Sequence, residues 1–227
     1  ARAGRLWLHR DGVRPLEGLG IPIIAYDNYE AGRAAGVAAA EVFRTQNPGT
    51  PARIFLVTGN TEEDYLEERI EGFVEGVTVV LPEATVVGRS SNNGTTASAR
   101  KQLMNDLSAW KTANIFFAAN DFQGMGVLNA VLTTIGELES TVIASARGSE
   151  LSMSVIQPSL SDPWVIVSAF DTESYVSQAY EMITEMLTGE GAGSADVVLT
   201  KPDIFKKPTL ERIRAYVTRN YGYEDWD

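Results

Sequence analysis

Residues 115–131, IFFAANDFQGMGVLNAV, decide how this chain is built. Apolar or small residues run from Ile115 to Ala119 and meet the polar pair Asn120-Asp121 without a break. Beyond the pair, Val127, Leu128, Val131 and Leu132 recur at helical spacing and are expected to pack inward, with Gly136 as the C-terminal stop. A continuous apolar run is the mark of a strand covered on both faces, so the segment reads as buried strand, turn, helix. The polar pair has two readings. It caps the helix, since Asn and Asp are among the best N-caps, or it faces something that has to be held.

The same grammar repeats in both directions. IPIIAY (21–26) leads to a helix over 30–44, RIFLVTG (53–59) to one over 62–77, and ATVVG (84–88) to one over 96–110. In the second of these helices, Leu66, Ile70, Phe73, Val74 and Val77 form one apolar stripe with glutamates opposite. STVIASA (140–146) is the next strand, and the pattern then loosens into a short helix or loop over 150–163. WVIVSAF (164–170), a helix over 173–189, a flexible loop at 189–195, the strand DVVLT (196–200) and a last amphipathic helix over 209–219 complete the chain. Strand–helix repetition with unbroken apolar strands predicts an α/β protein with doubly wound, parallel sheets. GRLWLHRDG near the start reads as a further short strand, KPDIFKKP (201–208) as exposed surface, and the polar, aromatic tail 220–227 as docked or disordered.

Composition narrows the function. With 227 residues the chain buries a real core, and 44% hydrophobic with 22% charged residues is ordinary for a globular protein. A net charge of −11 opposes nucleic acid and anionic membrane surfaces as partners. No apolar span is long enough to insert in a membrane, and no secretory leader stands in the sequence, which reads as a soluble or already processed chain. The absence of cysteine removes disulfides, thiolate nucleophiles and Cys-ligated metals; a single histidine, His9, leaves no multi-histidine metal site and no triad unless it serves as the base. No GxxxxGK[ST] loop is present, and GMG (124–126) lies within a helix pattern. The acidic run TEEDYLEE (61–68) lacks calcium-loop spacing and reads as a helix start with a solvated face. An enzyme is disfavoured, and no metal, cofactor or catalytic residue is expected.

Ligands of open α/β sheets collect at the carboxyl ends of parallel strands. The polar residues there are Asp27 and Asn28, Asn60 and Thr61, Asn120 and Asp121, Arg147, and Asp171. The Asn, Asp and Thr among them are also natural helix caps. Several at corresponding strand ends point to a polar crevice whose occupant the residues themselves do not name.

In order and spacing, GIPIIAYDNYEAGRAAG, RIFLVTGNTEEDYLEERIEGF, IFFAANDFQGMGVLNAV and TVIASARG resemble the type I periplasmic sugar-binding proteins, and equally the effector domains of LacI-type repressors. The resemblance covers about 18–200. It implies a periplasmic-binding-protein-like fold of two lobes closing on a small ligand, and no enzyme. By the same resemblance Arg69 reaches ligand hydroxyls, a surface pair with Glu68 or Glu71 being the alternative, while Asn120 faces the ligand and Asp121 starts the helix. Asp27 joins the ligand set, Phe170 stacks on a sugar ring and Asp171 takes over part of a glutamine's role. Where relatives carry Asp before the glycine of the next strand end, this chain has Arg147, which favours an anionic ligand or a degenerate site. Relatives carry further strand–helix units before the IP strand, so the first lobe is expected to be partial. The expected division is 1–48 for that lobe, 49–168 for the C-terminal lobe, and 169–227 for a return segment and tail. The implied partners are a sugar or sugar acid and the membrane permease of an ABC-type importer, at a periplasmic or other extracytoplasmic location. The alternative is a repressor's effector-sensing domain.

Overall fold

The structure, a computed structural model, describes residues 7–9, 22–59, 64–134, 140–156, 164–188, 197–206 and 208–222, with backbone alone at 7–9, 164–165, 197 and 210. The expectations for Asn60, Thr61, Gly136, the loop 189–195, the stretch 157–163 and the last residues of the tail lie outside this range, as does the His9 side chain. In chain order the elements are β1 (Trp7–His9), β2 (Ile23–Tyr26), α1 (Asn28–Gln46), β3 (Arg53–Thr58), α2 (Asp64–Val80), β4 (Thr85–Ser91), α3 (Thr96–Asn105), α4 (Leu107–Trp110) and β5 (Ile115–Ala118). Then follow α5 (Asp121–Thr134), β6 (Val142–Arg147), α6 (Glu150–Val155), β7 (Trp164–Phe170), α7 (Thr172–Thr188), β8 (Val197–Thr200), β9 (Pro202–Lys206) and α8 (Leu210–Tyr221).

Two sheets result. The larger has the order β4-β3-β5-β6-β7-β9, parallel except for the β7–β9 pair, and the smaller has the order β1-β2-β8, all parallel. Successive side chains of a strand point to opposite faces, and here both faces are apolar. Phe55, Val57, Phe116, Ala118, Ile143 and Val167 meet α3, α5 and α8 through Leu103, Val127, Val131 and Ile213. Ile54, Leu56, Ile115, Phe117, Ala144 and Ile166 meet α1 and α2 through Ala39, Phe43, Leu66, Ile70 and Phe73. Burial on both faces is why these strands carry unbroken apolar runs.

Helices α1 and α2 approach until their backbones touch. A Cβ placed on Gly32 would stand 2.0 Å from the Arg69 carbonyl oxygen, and one on Gly72 2.1 Å from that of Tyr29. Gly36 and Gly76 make the same close approaches to Phe73 and Arg33. The repeated small residue at four-residue spacing on both helices removes the side chains that would hold the axes apart. The site depends on this seam, because it sets the start of α2 against the start of α1.

Three details depart from the sequence reading. The expected helix 96–110 breaks at Asp106 into α3 and α4, and Trp110, wholly buried, ties the pieces by donating from Nε1 to the Leu103 oxygen at 2.7 Å. Leu132 does not pack inward; it is 48% exposed, one helical step beyond the edge of the buried stripe. Residues 202–206, expected as surface, form the antiparallel edge strand β9 with Phe205 fully buried. Pro202 opens that strand, where a missing N–H is tolerated, and lysine lies at its far end.

The chain passes between the sheets three times: β2 of the small sheet leads to α1 on the large sheet, β7 of the large sheet to α7 beside β2, and β8 to β9. The passages fall at Asp27, Asp171 and Lys201. Helix α1 within 1–48, and β9 and α8 within 169–227, therefore rest on the large sheet.

Candidate ligand-binding site

The passages lie side by side. The Asp27 amide donates to the Thr200 oxygen at 3.1 Å, and the Tyr26 ring stacks on Phe170 with centroids 4.1 Å apart. Tyr175 packs against Tyr26 at 5.0 Å and donates from its hydroxyl to the Ile24 oxygen at 3.3 Å. Three of the residues expected at the ligand have partners within this joint. Asp27 caps α1, accepting from the Glu30 amide at 2.8 Å. Asp171 caps α7, accepting from Glu173 and Ser174 amides at 3.1 and 3.4 Å, and pairs with Arg219 at 3.4 Å. Phe170 is 6% exposed, enclosed by Tyr26 on one side and the Arg69 guanidinium at 5.0 Å.

Arg69 connects the joint to the strand ends. It is 4% exposed, so the surface pair with Glu68 or Glu71 is excluded as its setting. Nε donates to the Asn28 side-chain oxygen at 2.9 Å and Nη1 to the Ala119 carbonyl at 2.9 Å, while Tyr65 lies 5.1 Å from the guanidinium carbon. A buried cation needs such oxygens and ring faces in place of water. The glycine seam brings Asn28, on the first turn of α1, within reach of Arg69 on α2.

The Asn120-Asp121 pair divides its tasks in the reverse of the expected way. Asn120 is the helix cap: Oδ1 accepts from the Gln123 amide at 2.9 Å, and Nδ2 reaches the Gly94 oxygen at 3.3 Å. Asp121, fully buried, accepts from the Ser149 amide at 2.5 Å through Oδ2 and so holds the turn after β6. Its Oδ1 is buried with no hydrogen-bond partner among the described residues. Asn120 remains half-buried at the edge of the sheet, one strand away from Arg147.

Arg147 ends β6 with φ +110° and is followed by Gly148 at φ +71°. Only Arg147 among the described non-glycine residues has a positive φ, and such a residue at a strand end is a frequent feature of ligand sites. A Cβ on Gly148 would fall 2.3 Å from the Ala169 Cβ, so glycine is required there twice over. The Gly148 carbonyl accepts from the hydroxyls of Tyr216 at 3.0 Å and Tyr221 at 2.9 Å, and Tyr216 also lies 3.0 Å from the Phe170 oxygen. Burial, with Tyr221 beside it, drives the Tyr216 pKa far above the ordinary phenol range; burial and the Asp121 charge raise that of Tyr221. Both hydroxyls stay protonated and donate.

Arg69, Asn120 and Arg147 thus share the carboxyl edge of the large sheet, linked through β5, β6 and the end of β7. A hollow of about 390 Å³ between Glu41, Arg44, Thr45, Gln46 and Lys206 lies at the other end of α1 and holds none of them. Asn92 and Gln123, joined by a 3.1 Å hydrogen bond beneath Asn120, belong to the same edge. The sequence reading did not single them out, nor the two tyrosines. For Asn92 the signal was its place after a strand; for Tyr216, within a periodic helix, there was none. Among the described residues no group of three or more His, Cys, Asp or Glu is placed to hold a metal.

The periplasmic binding protein domain family matches residues 11–191. The chain belongs to that family. Its doubly wound α/β architecture of two sheets joined by three passages is the type I periplasmic-binding-protein fold. Solved structures share it at low sequence identity. An ABC transporter periplasmic solute-binding protein from Actinobacillus succinogenes 130z, with bound D-allose, superposes with a TM-score of 0.73 at 20% identity, over 93% of this chain and 71% of that one. A galactofuranose-binding protein gives 0.74 at 15%, over 97% and 72%. The Caulobacter myo-inositol-binding protein, bound to myo-inositol, gives 0.66 at 18%, over 92% and 66%. This family member therefore spans about two thirds to three quarters of the length of those relatives. No curated protein sequence matches it. No helix among its described residues is long and apolar enough to cross a membrane.

Proposed function

We propose that the protein is a solute-binding protein that captures a sugar or sugar-like molecule between its two sheets, outside the cytoplasm, for delivery to the permease of an ABC-type importer. The observation that carries the reading is the placement of Arg69, Asn120 and Arg147 along one sheet edge, beside three adjoining chain passages. A ligand at that edge meets the Asn120 amide, which keeps a second lone pair and a second hydrogen beside its bonds to Gln123 and Gly94 and so both accepts and donates as sugar hydroxyls require. Arg147 stands beside it, with Arg69 behind. Asp27, Phe170 and Asp171 act through the joint, which bends as the sheets close and turns differential contact into a shift between open and closed forms. The bound sugar of the D-allose protein and the bound cyclic polyol of the myo-inositol protein agree with this reading.

The test is a thermal-shift screen of the intact protein over monosaccharides, polyols and sugar acids. A binder raises the melting temperature, and Asn120→Ala weakens every binder by about tenfold, the weight of one good hydrogen bond. A screen in which no compound moves the melting temperature disproves the reading.

A further inference from the structure

We infer that the ligand carries a carboxylate, received by Arg147, and that Tyr216 and Tyr221 set this preference by fixing the turn from which Arg147 projects. The inference rests on the ligand site proposed above and names the class of compound it takes.

Charge is the first ground. Among the described residues Arg33 pairs with Glu30, Arg89 with Glu67, Arg212 with Asp203, and Arg219 with Asp171 and Glu173. Arg147 has no carboxylate partner among them, as Arg44, Arg53 and Arg100 have none, but it alone of these stands at the carboxyl end of a strand; its guanidinium carbon lies 5.9 Å from the centre of the Phe122 ring. Asp121, the nearby acid, is turned to the Ser149 amide instead. A chain of net charge −11 repels anions at long range, so holding one requires a fixed cation at the site. A guanidinium offers a planar fork of donors matched to the two oxygens of a carboxylate.

Backbone geometry is the second ground, and it is independent of charge. The pair Arg147-Gly148 is held left-handed from three directions: Tyr216 and Tyr221 on the Gly148 oxygen, Asp121 on the Ser149 amide, and Ala169 against Gly148. A turn held in this way fixes where the Arg147 side chain leaves the backbone before a ligand arrives, and the Phe122 ring is the contact its guanidinium then makes. The two tyrosines belong to α8 and act on Arg147 through the Gly148 carbonyl that both hydroxyls bind; they are positioning residues.

The experiment is calorimetric titration of the intact protein with D-glucuronate, D-galacturonate and D-gluconate, with D-glucose and D-galactose as neutral parents, and with glucose 6-phosphate. We expect at least one acid to bind tenfold or more tighter than its parent, with the ratio falling as salt rises. In Arg147→Gly, whose backbone suits a positive φ, that ratio disappears while the fold persists; Arg147→Lys retains part of it. The double variant Tyr216→Phe/Tyr221→Phe lowers the acid-to-parent ratio severalfold with neutral affinity kept. Parents binding as well as acids, the phosphate binding best, or a ratio indifferent to Arg147→Gly each overturn the inference and leave the sugar-binding reading standing. Equal loss for acids and parents in the double variant overturns the tyrosines' part. Silence across this panel, with a neutral binder found in the wider thermal-shift screen, overturns this inference alone; silence in both overturns the two together.

Discussion

Arg69 shows how one side chain is decided by what it replaces. Its guanidinium sits where the start of α1, the end of β5 and the joint aromatics meet, and it satisfies the Asn28 side chain and the Ala119 carbonyl at once. Arg69→Met keeps apolar bulk but leaves both oxygens without this donor. Charge-assisted hydrogen bonds contribute about 1.5–3 kcal/mol each, so the loss of two is about 3–6 kcal/mol. In a chain of this size that lowers the melting temperature on the order of 10 °C, measurable by calorimetry. An unchanged melting temperature means Arg69 holds nothing in the free protein. Tyr216 carries a pH signature. Its folded pKa lies above the ordinary value of 10.0, mainly through burial. Below that value both states keep the proton and the stabilisation is complete. As pH climbs past it the unfolded chain releases a proton the folded chain retains, so stability falls toward the raised folded pKa. Denaturant titrations at stepped alkaline pH should therefore show a decline that Tyr216→Phe makes shallower; an identical decline in that variant contradicts the assignment.

Among the elements, the α1–α2 pair has the least tolerance. Gly72→Ala improves helix propensity by about 1 kcal/mol but drives a methyl into the Tyr29 carbonyl, where backbone, not a flexible side chain, must give way. Overpacking of that kind costs about 1–3 kcal/mol, enough to outweigh the gain. Because the seam sets Asn28 against Arg69, the variant should also weaken ligand binding. Gly49→Ala is the comparison: it has open space and only a φ of +77° to oppose it. It should cost about 1 kcal/mol and leave binding alone. Chemical denaturation and titration of the two variants side by side settle this, and equal effects on binding would refute the role of the seam. The sequence displayed the seam as GRAAG and GFVEG, yet nothing in either stretch says that the two face each other. β9 was missed for a related reason. An edge strand with one covered face shows only Ile204 and Phe205 as apolar signal among charges, and its partner β7 lies more than thirty residues earlier in the chain.

For the whole molecule, the proposed function gives the three passages the task of converting local contacts into a closing motion. A ligand present at one hundred times its dissociation constant adds about 2.7 kcal/mol to the folded state, which corresponds to a melting shift of about 5–10 °C in a chain of this length. That is the size of signal the sugar screen should return.

Read alone, the sequence determined the class of architecture and the strand ends at which its polar residues gather. Strands buried on both faces must be continuously apolar, and helices between them must be amphipathic, so local periodicity suffices for both. It also determined that Arg147 stands where an acid was expected. Only the tertiary structure decided which strand-end polar residues are caps, which belong to the joint, and which face outward. Asn120 capping α5, Asp121 reaching Ser149, Phe170 enclosed by Tyr26 and Arg69, and α8 tyrosines holding Gly148 are contacts between residues remote in the chain. Hydrogen bonds and ring stacking depend on distances of a few ångströms, and sequence spacing carries no information about such distances once the chain has folded back on itself.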